Sequence, residues 1–431
     1  MRLVNIDQLT PGMRLGDSIH GRAGQTLLAR GAALTDSYVA TLRTMGVPAV
    51  YIADPDTADV EIPQPISPEA HARVLRNLAQ VFEQVCEATE QIRKSSMNRL
   101  HQNPQSDRLV RAIASCGAAD RLYAITRDID LIMDQLGNLD TLVGLNSIKT
   151  HDLYTFQHSI DVTVLGLVLA RRMGWDWNRT RAFGVGCLLH DIGKVVFDPG
   201  VLNQPGPLTP EAFERLKGHT TVGYEVIRGL APRLGSLAPL VAYQHHERED
   251  GSGYPRGLKG TNGLGENPPS SIHDFGTLSA VADVYDAMSS HRPYRRAVPV
   301  DQVVETIGLY AGNHLNAQAV KLFLSIVPPY PVCSAVAVLT GAHAGCRGVV
   351  VRVSKRDLSR PVVRILFDPH GERRKAVDLD LAIEGDVQVQ SVRDPASPVH
   401  SLGSGEVKPR GETAKAAYTI PPAVLRVLRA C

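Results

Sequence analysis

Histidine and aspartate side chains recur between residues 158 and 283 of this chain, at separations of about 25 to 40 residues. The stretch that carries them, residues 138–327, is dominated by segments in which apolar residues follow helical spacing, interrupted by clusters of Gly and Pro. Side chains so far apart in a helical sequence can meet when several helices face one interior, as metal ligands do in helical bundles. The spacing therefore predicts a mainly α protein with an all-helical metal-binding bundle.

The rest of the chain divides into segments of different composition. Residues 1–53 alternate short apolar runs with turn residues and predict a small α+β module, whereas β-branched runs in residues 328–393 predict a small β module. Residues 54–137 predict a linker and two connector helices, whose apolar stripes indicate either core packing or the seam of a homodimer. Residues 394–431 lack periodicity and predict a flexible tail. A chain of 431 residues is long enough for several domains.

Charge and cysteine usage exclude several classes of function. Lys and Arg number 46 against 44 Asp and Glu, so no global field favours a nucleic-acid polymer or a membrane surface as partner. The six cysteines are scattered without a C-x-x-C pair, which indicates reduced structural thiols. The start of the chain has no apolar signal segment, and the longest strongly apolar stretch, residues 162–170, is too short to span a bilayer. We therefore expect a cytoplasmic protein.

The recurring histidines and aspartates offer the ligand types of a metal site. Imidazole nitrogens and carboxylate oxygens suit ions such as iron, manganese, cobalt or zinc. A His-Asp pair alone is weak evidence, because residues 151–152 and 273–274 also form one; the pair at 190–191 differs in following an apolar helical segment and preceding Lys194. The candidate ligands are His158, His190, Asp191, His219, His245, His246 and Asp283.

Two extended motifs give this set a specific resemblance. Residues 188–194 (LLHDIGK) and 245–255 (HHEREDGSGYP) resemble the defining motifs of the HD-GYP family, within the HD superfamily of metal-dependent phosphohydrolases. The resemblance covers about 150 residues and extends to further segments of the same region. These are YTFQHS at 154–159, KGHT at 217–220, VADVYDA at 281–287 and RPYR at 292–295.

The resemblance implies a metal-dependent phosphodiesterase of bacterial second-messenger signalling that hydrolyses cyclic di-GMP to pGpG, and it leaves open whether pGpG is cleaved further to GMP. It places all seven candidate ligands in the metal site, with Asp191 bridging two ions. Lys194 is expected to act with Asp191 in catalysis, either by contacting a non-bridging phosphate oxygen or by orienting the nucleophile. Arg292 and Arg295, whose guanidinium groups suit phosphate, are candidates for binding the second phosphate. Tyr254 lies in residues 250–255 (DGSGYP), the GYP loop, and is a candidate for the cleft rim and for contacts with GGDEF-domain proteins.

Two departures from the family pattern modify these expectations. Some members carry a carboxylate one helical turn before the first histidine, where it helps to hold a third metal, and Tyr154 stands there in this chain. We therefore predict two divalent ions, with iron or manganese expected first and zinc, cobalt, nickel or magnesium as alternatives. Residues 261–275 lengthen the link between the GYP loop and Asp283, and their Pro content favours a surface insertion over a lining of the entrance.

Two other functions remain open at this stage. The first is phosphohydrolysis of a different cyclic dinucleotide or of a nucleotide monoester by another type of HD-superfamily enzyme. The second is a catalytically silent sensor that binds cyclic di-GMP and acts through protein contacts. The GYP and RPYR segments favour cyclic di-GMP over the first, and the complete set of ligands favours an enzyme over the second.

Overall fold

Helices dominate the part of the chain that a computed structural model describes, which confirms the mainly α class predicted from the sequence. The described residues are 1–20, 26–45, 47, 49–96, 111, 113, 118–137, 139, 141–142, 154–197, 209–230, 236–265, 267–290 and 297–392. Within them the helices are α1 (Asp36–Thr44), α2 (Pro68–Ser96), α3 (Ala118–Leu136), α4 (Tyr154–Arg172), α5 (Trp177–Leu189), α6 (Pro210–Leu230), α7 (Ala238–Gln244), α8 (Asp274–Ser289), α9 (Val300–Tyr310) and α10 (Ala317–Leu324). The predicted tail, 394–431, lies outside the described residues.

The strands lie near the two ends of the described chain. They are β1 (Arg2–Asn5), β2 (Ile19–His20), β3 (Thr26–Leu28), β4 (Ala49–Ile52), β5 (Ala335–Val338), β6 (Arg347–Arg352), β7 (Val362–Phe367), β8 (Arg373–Asp380) and β9 (Val389–Ser391). β1 pairs with β4 and β2 with β3, both antiparallel. The other five strands form an antiparallel sheet in the order β8-β7-β6-β5-β9. The small β module predicted after the helices is therefore a five-stranded sheet.

Helix α4 lies at the centre of the helical unit, which comprises the helices α2 to α10 around one core cluster. Val162, Leu165 and Leu169 are at most 1% exposed, so α4 is enclosed by its neighbours along this stretch. Enclosure explains why the apolar run is continuous rather than confined to one stripe, because every face of the helix lies against protein. Among the helices that the structure describes, none is long and apolar enough to cross a membrane.

The connector helices α2 and α3 pack against each other and onto this centre. Val74 and Leu78 of α2 and Ile125 and Ile129 of α3 are fully buried in the same core cluster as α4. The buried carboxylate of Asp128 accepts hydrogen bonds from Arg73 Nε and Asn77 Nδ2, both at 2.7 Å. The apolar stripe seen in the sequence is therefore covered within a single chain.

The N-terminal strands and the C-terminal sheet share one core. Tyr51 of β4 packs in a cluster with Cys333, with Val349 of β6 and with Phe367 of β7. At the edge of this cluster Arg364 Nη2 donates to Asp59 Oδ2 at 3.0 Å. The N-terminal segment with β1 to β4 and the C-terminal sheet thus form a single unit, the accessory unit, although they lie some 300 positions apart in the sequence. The sequence patterns predicted two separate modules.

A hydrogen bond connects strand β9 of this accessory unit to helix α9 of the helical unit. The backbone N–H of Ser391, on strand β9, donates to Asp301 Oδ2 at the start of α9, at 3.2 Å. Strand β9 lies at the edge of the sheet, beside β5. The accessory unit is therefore in direct contact with the helices that follow Asp283.

A close approach at Gly193 fixes how the helical unit packs around residue 191. The 3₁₀ helix Ile192–Val196 lies against α6, and a Cβ atom at Gly193 would stand 2.0 Å from the carbonyl oxygen of His219 and 2.6 Å from Gly223 N. Both neighbours are backbone atoms and cannot rotate away. Only glycine allows this approach, which holds Asp191 beside α6.

Gly193→Ala is expected to lower the free energy of unfolding by about 3 kcal/mol or more, because the methyl group forces two packed backbones apart. Gly308→Ala is the matched control: Gly308 lies in α9 with open space around its Cα, so alanine should raise the free energy by up to about 1 kcal/mol. Urea unfolding followed by circular dichroism measures both. An equal effect of the two substitutions would contradict the packing described at Gly193.

Candidate metal centre

Seven buried or half-buried side chains converge where the helices α4 to α8 meet. His158 lies within α4, His219 within α6 and Asp283 within α8. The other four follow directly on the ends of α5 and α7, namely His190, Asp191, His245 and His246. The structure brings together all the residues proposed from the sequence as metal ligands, in overlapping sets whose ligand atoms lie within 4.8 Å of one another.

The first set consists of His158, His190 and Asp283, all buried. His158 Nε2 lies 3.1 Å from Asp283 Oδ1. The rings of His158 and His190 have centroids 5.2 Å apart. Two imidazoles and a carboxylate at this separation form a site with nitrogen and oxygen ligands.

The second set consists of His219, His245 and His246. The Nε2 atoms of His219 and His245 are 3.3 Å apart, and the His246 ring centroid lies 5.1 Å from that of His219. Three imidazoles crowd together here without a carboxylate among them. A cation between their lone pairs would stabilise this arrangement.

Asp191 lies between the two sets and presents one carboxylate oxygen to each. Oδ2 is 3.5 Å from His190 Nε2, whereas Oδ1 is 3.7 Å from His219 Nε2 and 4.0 Å from His245 Nε2. Asp191 Oδ1 and His190 Nε2 are buried and have no hydrogen-bond partner among the described residues. Buried polar atoms are nearly always partnered, and a metal ion would supply the missing partner of both. The residues present therefore fit divalent metal ions.

Backbone carbonyls set the orientation of three of the imidazole rings. His190 Nδ1 lies 2.7 Å from the carbonyl oxygen of Cys187, and His219 Nδ1 lies 2.6 Å from that of Leu216. His245 Nδ1 lies 3.0 Å from the carbonyl oxygen of Val241. A carbonyl accepts only, so Nδ1 carries the proton and the Nε2 lone pair faces the centre. This arrangement fixes the tautomer that a metal ligand requires.

Burial keeps most of these histidines neutral. It lowers the pKa of His219 to about 4 and that of His245 to about 3, so both are unprotonated near pH 7 and able to bind a cation. His158 differs: burial lowers its pKa, but hydrogen bonds with Asp283 and Asp286 outweigh this and raise it to about 9. The two carboxylates thus favour the protonated form of His158.

Lys194 supplies a counter-charge for the shared carboxylate. Its Nζ lies 2.6 Å from Asp191 Oδ2, and its side chain remains 30% exposed. Burial raises the pKa of Asp191, but the charge of Lys194 and the surrounding histidines hold it well below its usual range. Lys194 therefore reaches from the buried centre to the surface of the protein.

The GYP loop lies against the second set of histidines. The Tyr254 ring is tilted over that of His246, with centroids 4.7 Å apart, and the Tyr254 N–H donates to the His246 carbonyl at 3.1 Å. The buried Glu247 carboxylate accepts from the N–H groups of Arg256 and Leu258, both at 2.8 Å. Glu247, which follows the proposed ligands His245 and His246 in the sequence, thus anchors the loop. Tyr254 covers the ring of His246.

The lengthened link at residues 261–275 is tied down by its own polar groups. The buried Asp274 carboxylate accepts from Asn267 Nδ2 at 2.9 Å and from Arg179 Nη2 at 3.1 Å. His273 Nδ1 accepts from the Phe275 N–H and caps helix α8. The His-Asp pair at 273–274 therefore has structural partners here rather than a place in the metal centre.

Three residues of interest fall outside what the structure describes. They are Arg292 and Arg295, together with the side chain of Tyr154 at the start of α4. Their proposed roles at the second phosphate and at the third-metal position stay predictions.

Sequence analysis missed Asp286 and the pair Arg248 and His314. Asp286 Oδ2 lies 2.7 Å from His158 Nδ1, so this carboxylate orients the His158 ring. Its position one helical turn after Asp283 was the available signal.

Arg248 Nη1 lies 3.3 Å from His314 Nε2, and both line a small cleft beside His245 and His246. Nothing in the sequence linked His314 to residues 66 positions away.

Comparison with known proteins agrees with this geometry. Residues 143–319 match the family model described as HD domain. The chain is 31% identical over 282 residues to a cyclic di-GMP phosphodiesterase of Pseudomonas aeruginosa (65% of this chain, 63% of that protein) and 37% identical over 188 residues to one of Thermotoga maritima (43% and 49%). It is also 34% identical over 136 residues to 3'3'-cGAMP-specific phosphodiesterase 2 of Vibrio cholerae (32% and 24%). Each match spans less than two thirds of the relative's length.

Asp286→Asn is expected to weaken Mn²⁺ affinity by about 10- to 100-fold, because a neutral amide orients and polarises the His158 ring less than a carboxylate does. Asp134→Asn, at an exposed position of α3, removes the same charge far from the centre and should leave the affinity unchanged. Competition with a chelator of known affinity measures both. Equal affinities of Asp286→Asn and the wild type would show that Asp286 does not support the metal ligand.

Proposed function

Since residues 143–319 match the HD-domain family model and buried histidines and aspartates converge within them, we propose that the chain is a metal-dependent phosphodiesterase that hydrolyses cyclic di-GMP to pGpG. The observation that carries this proposal is the position of Asp191, with one carboxylate oxygen toward each set of histidines. Two of the relatives reported above bear the name of this activity. We leave open whether pGpG is cleaved further to GMP.

The proposed centre holds two divalent ions that share Asp191. His158, His190 and Asp283 would hold one, and His219, His245 and His246 the other. Bound ions of this kind lower the pKa of water and neutralise charge on a phosphodiester. Iron or manganese suits the mixed nitrogen and oxygen ligands best, with zinc, cobalt, nickel or magnesium as alternatives.

The chain's own residues position and neutralise the substrate in this proposal. Lys194, which pairs with Asp191 and is partly exposed, would contact a non-bridging phosphate oxygen. Arg292 and Arg295 are proposed to bind the second phosphate, since guanidinium groups match phosphate geometry. Tyr254 would line the cleft beside His246.

Cyclic di-GMP is favoured over other substrates, but the name of one relative refers to a related cyclic dinucleotide. The Vibrio cholerae protein is described as specific for 3'3'-cGAMP, which differs from cyclic di-GMP in one base. Hydrolysis of this second cyclic dinucleotide is therefore the alternative function. A silent sensor is less well supported, because all seven proposed ligands converge.

We also propose that the protein is cytoplasmic, can form a homodimer and contacts GGDEF-domain proteins. Cytoplasmic localisation agrees with the free thiols of the four described cysteines, Cys86, Cys187, Cys333 and Cys346. A homodimer through the connector helices would have to use faces other than the apolar stripe of α2, which is buried within the chain. Contact with GGDEF-domain proteins is proposed for the GYP loop, where Arg256 and Gly257 are exposed beside Tyr254.

Purified protein loaded with Mn²⁺ is expected to convert cyclic di-GMP to pGpG, and Asp191→Ala to lower the rate by about 10³-fold or more through loss of the shared ligand. Asp134→Ala should keep the wild-type rate. Chromatography of the products, with 3'3'-cGAMP and a nucleotide monoester in parallel, measures this and detects GMP. Turnover of 3'3'-cGAMP alone would establish the alternative substrate, and binding of cyclic di-GMP without turnover would establish a sensor.

Tyr254→Ala is expected to weaken binding of a GGDEF domain by about tenfold or more, as loss of a central tyrosine does at protein interfaces. Tyr123→Ala, which removes a 69% exposed tyrosine from α3, is the matched control and should leave binding unchanged. Because Tyr254 also covers His246, the metal content of each variant is measured beside the binding. Unchanged binding by Tyr254→Ala would remove the GYP loop from the partner interface.

A further inference from the structure

A cleft of about 530 Å³ lies in the accessory unit, among residues that have no part in the metal centre. Its lining carries four arginines, of which Arg2, Arg14 and Arg30 belong to the N-terminal segment and Arg373 to strand β8 of the C-terminal sheet. A cavity of this volume is in the range that binds a small organic molecule. The two parts of the accessory unit therefore enclose a concave surface with a concentration of positive charge.

The acidic groups near the cleft neutralise only part of this charge. Asp54, the one acid among the described lining residues, is 5% exposed and pairs with Arg373, while Arg2 Nε lies 3.5 Å from its Oδ2. Arg373 also pairs with Asp56 at 2.5 Å. These carboxylates match the charges of Arg2 and Arg373, so two further arginines of the lining are left without a counter-charge.

Arg14 and Arg30 supply the unmatched charge. Arg14 Nη1 donates to the neutral carbonyl of Gly31 at 3.0 Å, and no carboxylate pairs with either arginine among the described residues. Both side chains are exposed. The chain as a whole carries a formal charge of only +2, so this concentration of guanidinium groups is not part of a generally basic surface.

Apolar groups complete the lining. Met13, Ile52, Pro55 and Ala58 face the same cleft as the arginines. Guanidinium forks bind phosphate in a bidentate manner and also stack on planar rings. A ligand that satisfies both the apolar and the cationic parts carries a flat, weakly polar group and at least one phosphate.

We propose that this cleft binds a nucleoside phosphate, with its phosphate between Arg14 and Arg30 and its base over the apolar residues. Arg373 extends the lining onto the C-terminal sheet, so the bound ligand would contact both parts of the accessory unit and stabilise their association. The same sheet reaches helix α9 through the hydrogen bond between Ser391 and Asp301. The site thus gives the accessory unit a small-molecule ligand of its own.

Isothermal titration of the full chain with GMP, GTP and ATP tests the proposal, with guanosine and inorganic phosphate as separate probes of the two ligand parts. At least one nucleotide is expected to bind, and Arg30→Glu to weaken it by about tenfold or more through loss of a charge-assisted contact. Arg356→Glu is the matched control, because it makes the same charge change at an exposed arginine of the β6–β7 loop, outside the cleft, and it should bind as the wild type does.

Arg14→Glu provides a second variant, and thermal unfolding establishes that each variant is folded. Absence of binding by all three nucleotides would overturn the proposal. So would nucleotide binding that neither Arg30→Glu nor Arg14→Glu weakens relative to Arg356→Glu, since the ligand would then lie elsewhere, such as in the metal centre. Both outcomes are independent of cyclic di-GMP hydrolysis, which is assayed separately and should be unchanged by Arg30→Glu.

Discussion

A buried carboxylate with histidines on both sides determines the arrangement of the helical unit. Burying an ionised carboxylate is costly unless charges and ligands compensate it, and Asp191 is 2% exposed. Lys194 supplies one charge at 2.6 Å, and the close approach at Gly193 holds the carboxylate against α6. Helices α5 and α7 end at this centre, so that His190 and His245 follow their last turns. The helix boundaries thus coincide with the positions from which ligands can point inward.

Residue types, spacing and the family resemblance pointed to the proposed ligand set, and the structure places those side chains together. Among the groups that orient these side chains, only Asp286 had a signal in the sequence, namely its position one helical turn after Asp283. The carbonyls of Cys187 and Leu216 act through geometry, which a sequence pattern does not contain. Glu247 is an ordinary glutamate in sequence, and only the fold shows that it anchors the GYP loop.

The accessory unit illustrates the same limit for the fold. The mainly α class and the β character of the C-terminal module followed from local periodicity, which reports how each segment meets its neighbours. The shared core of Tyr51 and Phe367 joins positions more than 300 residues apart, and no local pattern indicates such a pairing. The arginine cleft arises from this association, since Arg373 reaches the N-terminal segment only when the two parts pack together.

The proposed two-metal centre depends on Asp191 as a ligand shared by both ions, and anomalous X-ray scattering from crystals of the manganese-loaded protein locates such ions individually. Two peaks are predicted, one beside His158, His190 and Asp283 and the other beside His219, His245 and His246, with one oxygen of Asp191 bound to each ion. A single peak, a third peak near Tyr154, or two peaks that leave Asp191 unbound would contradict it.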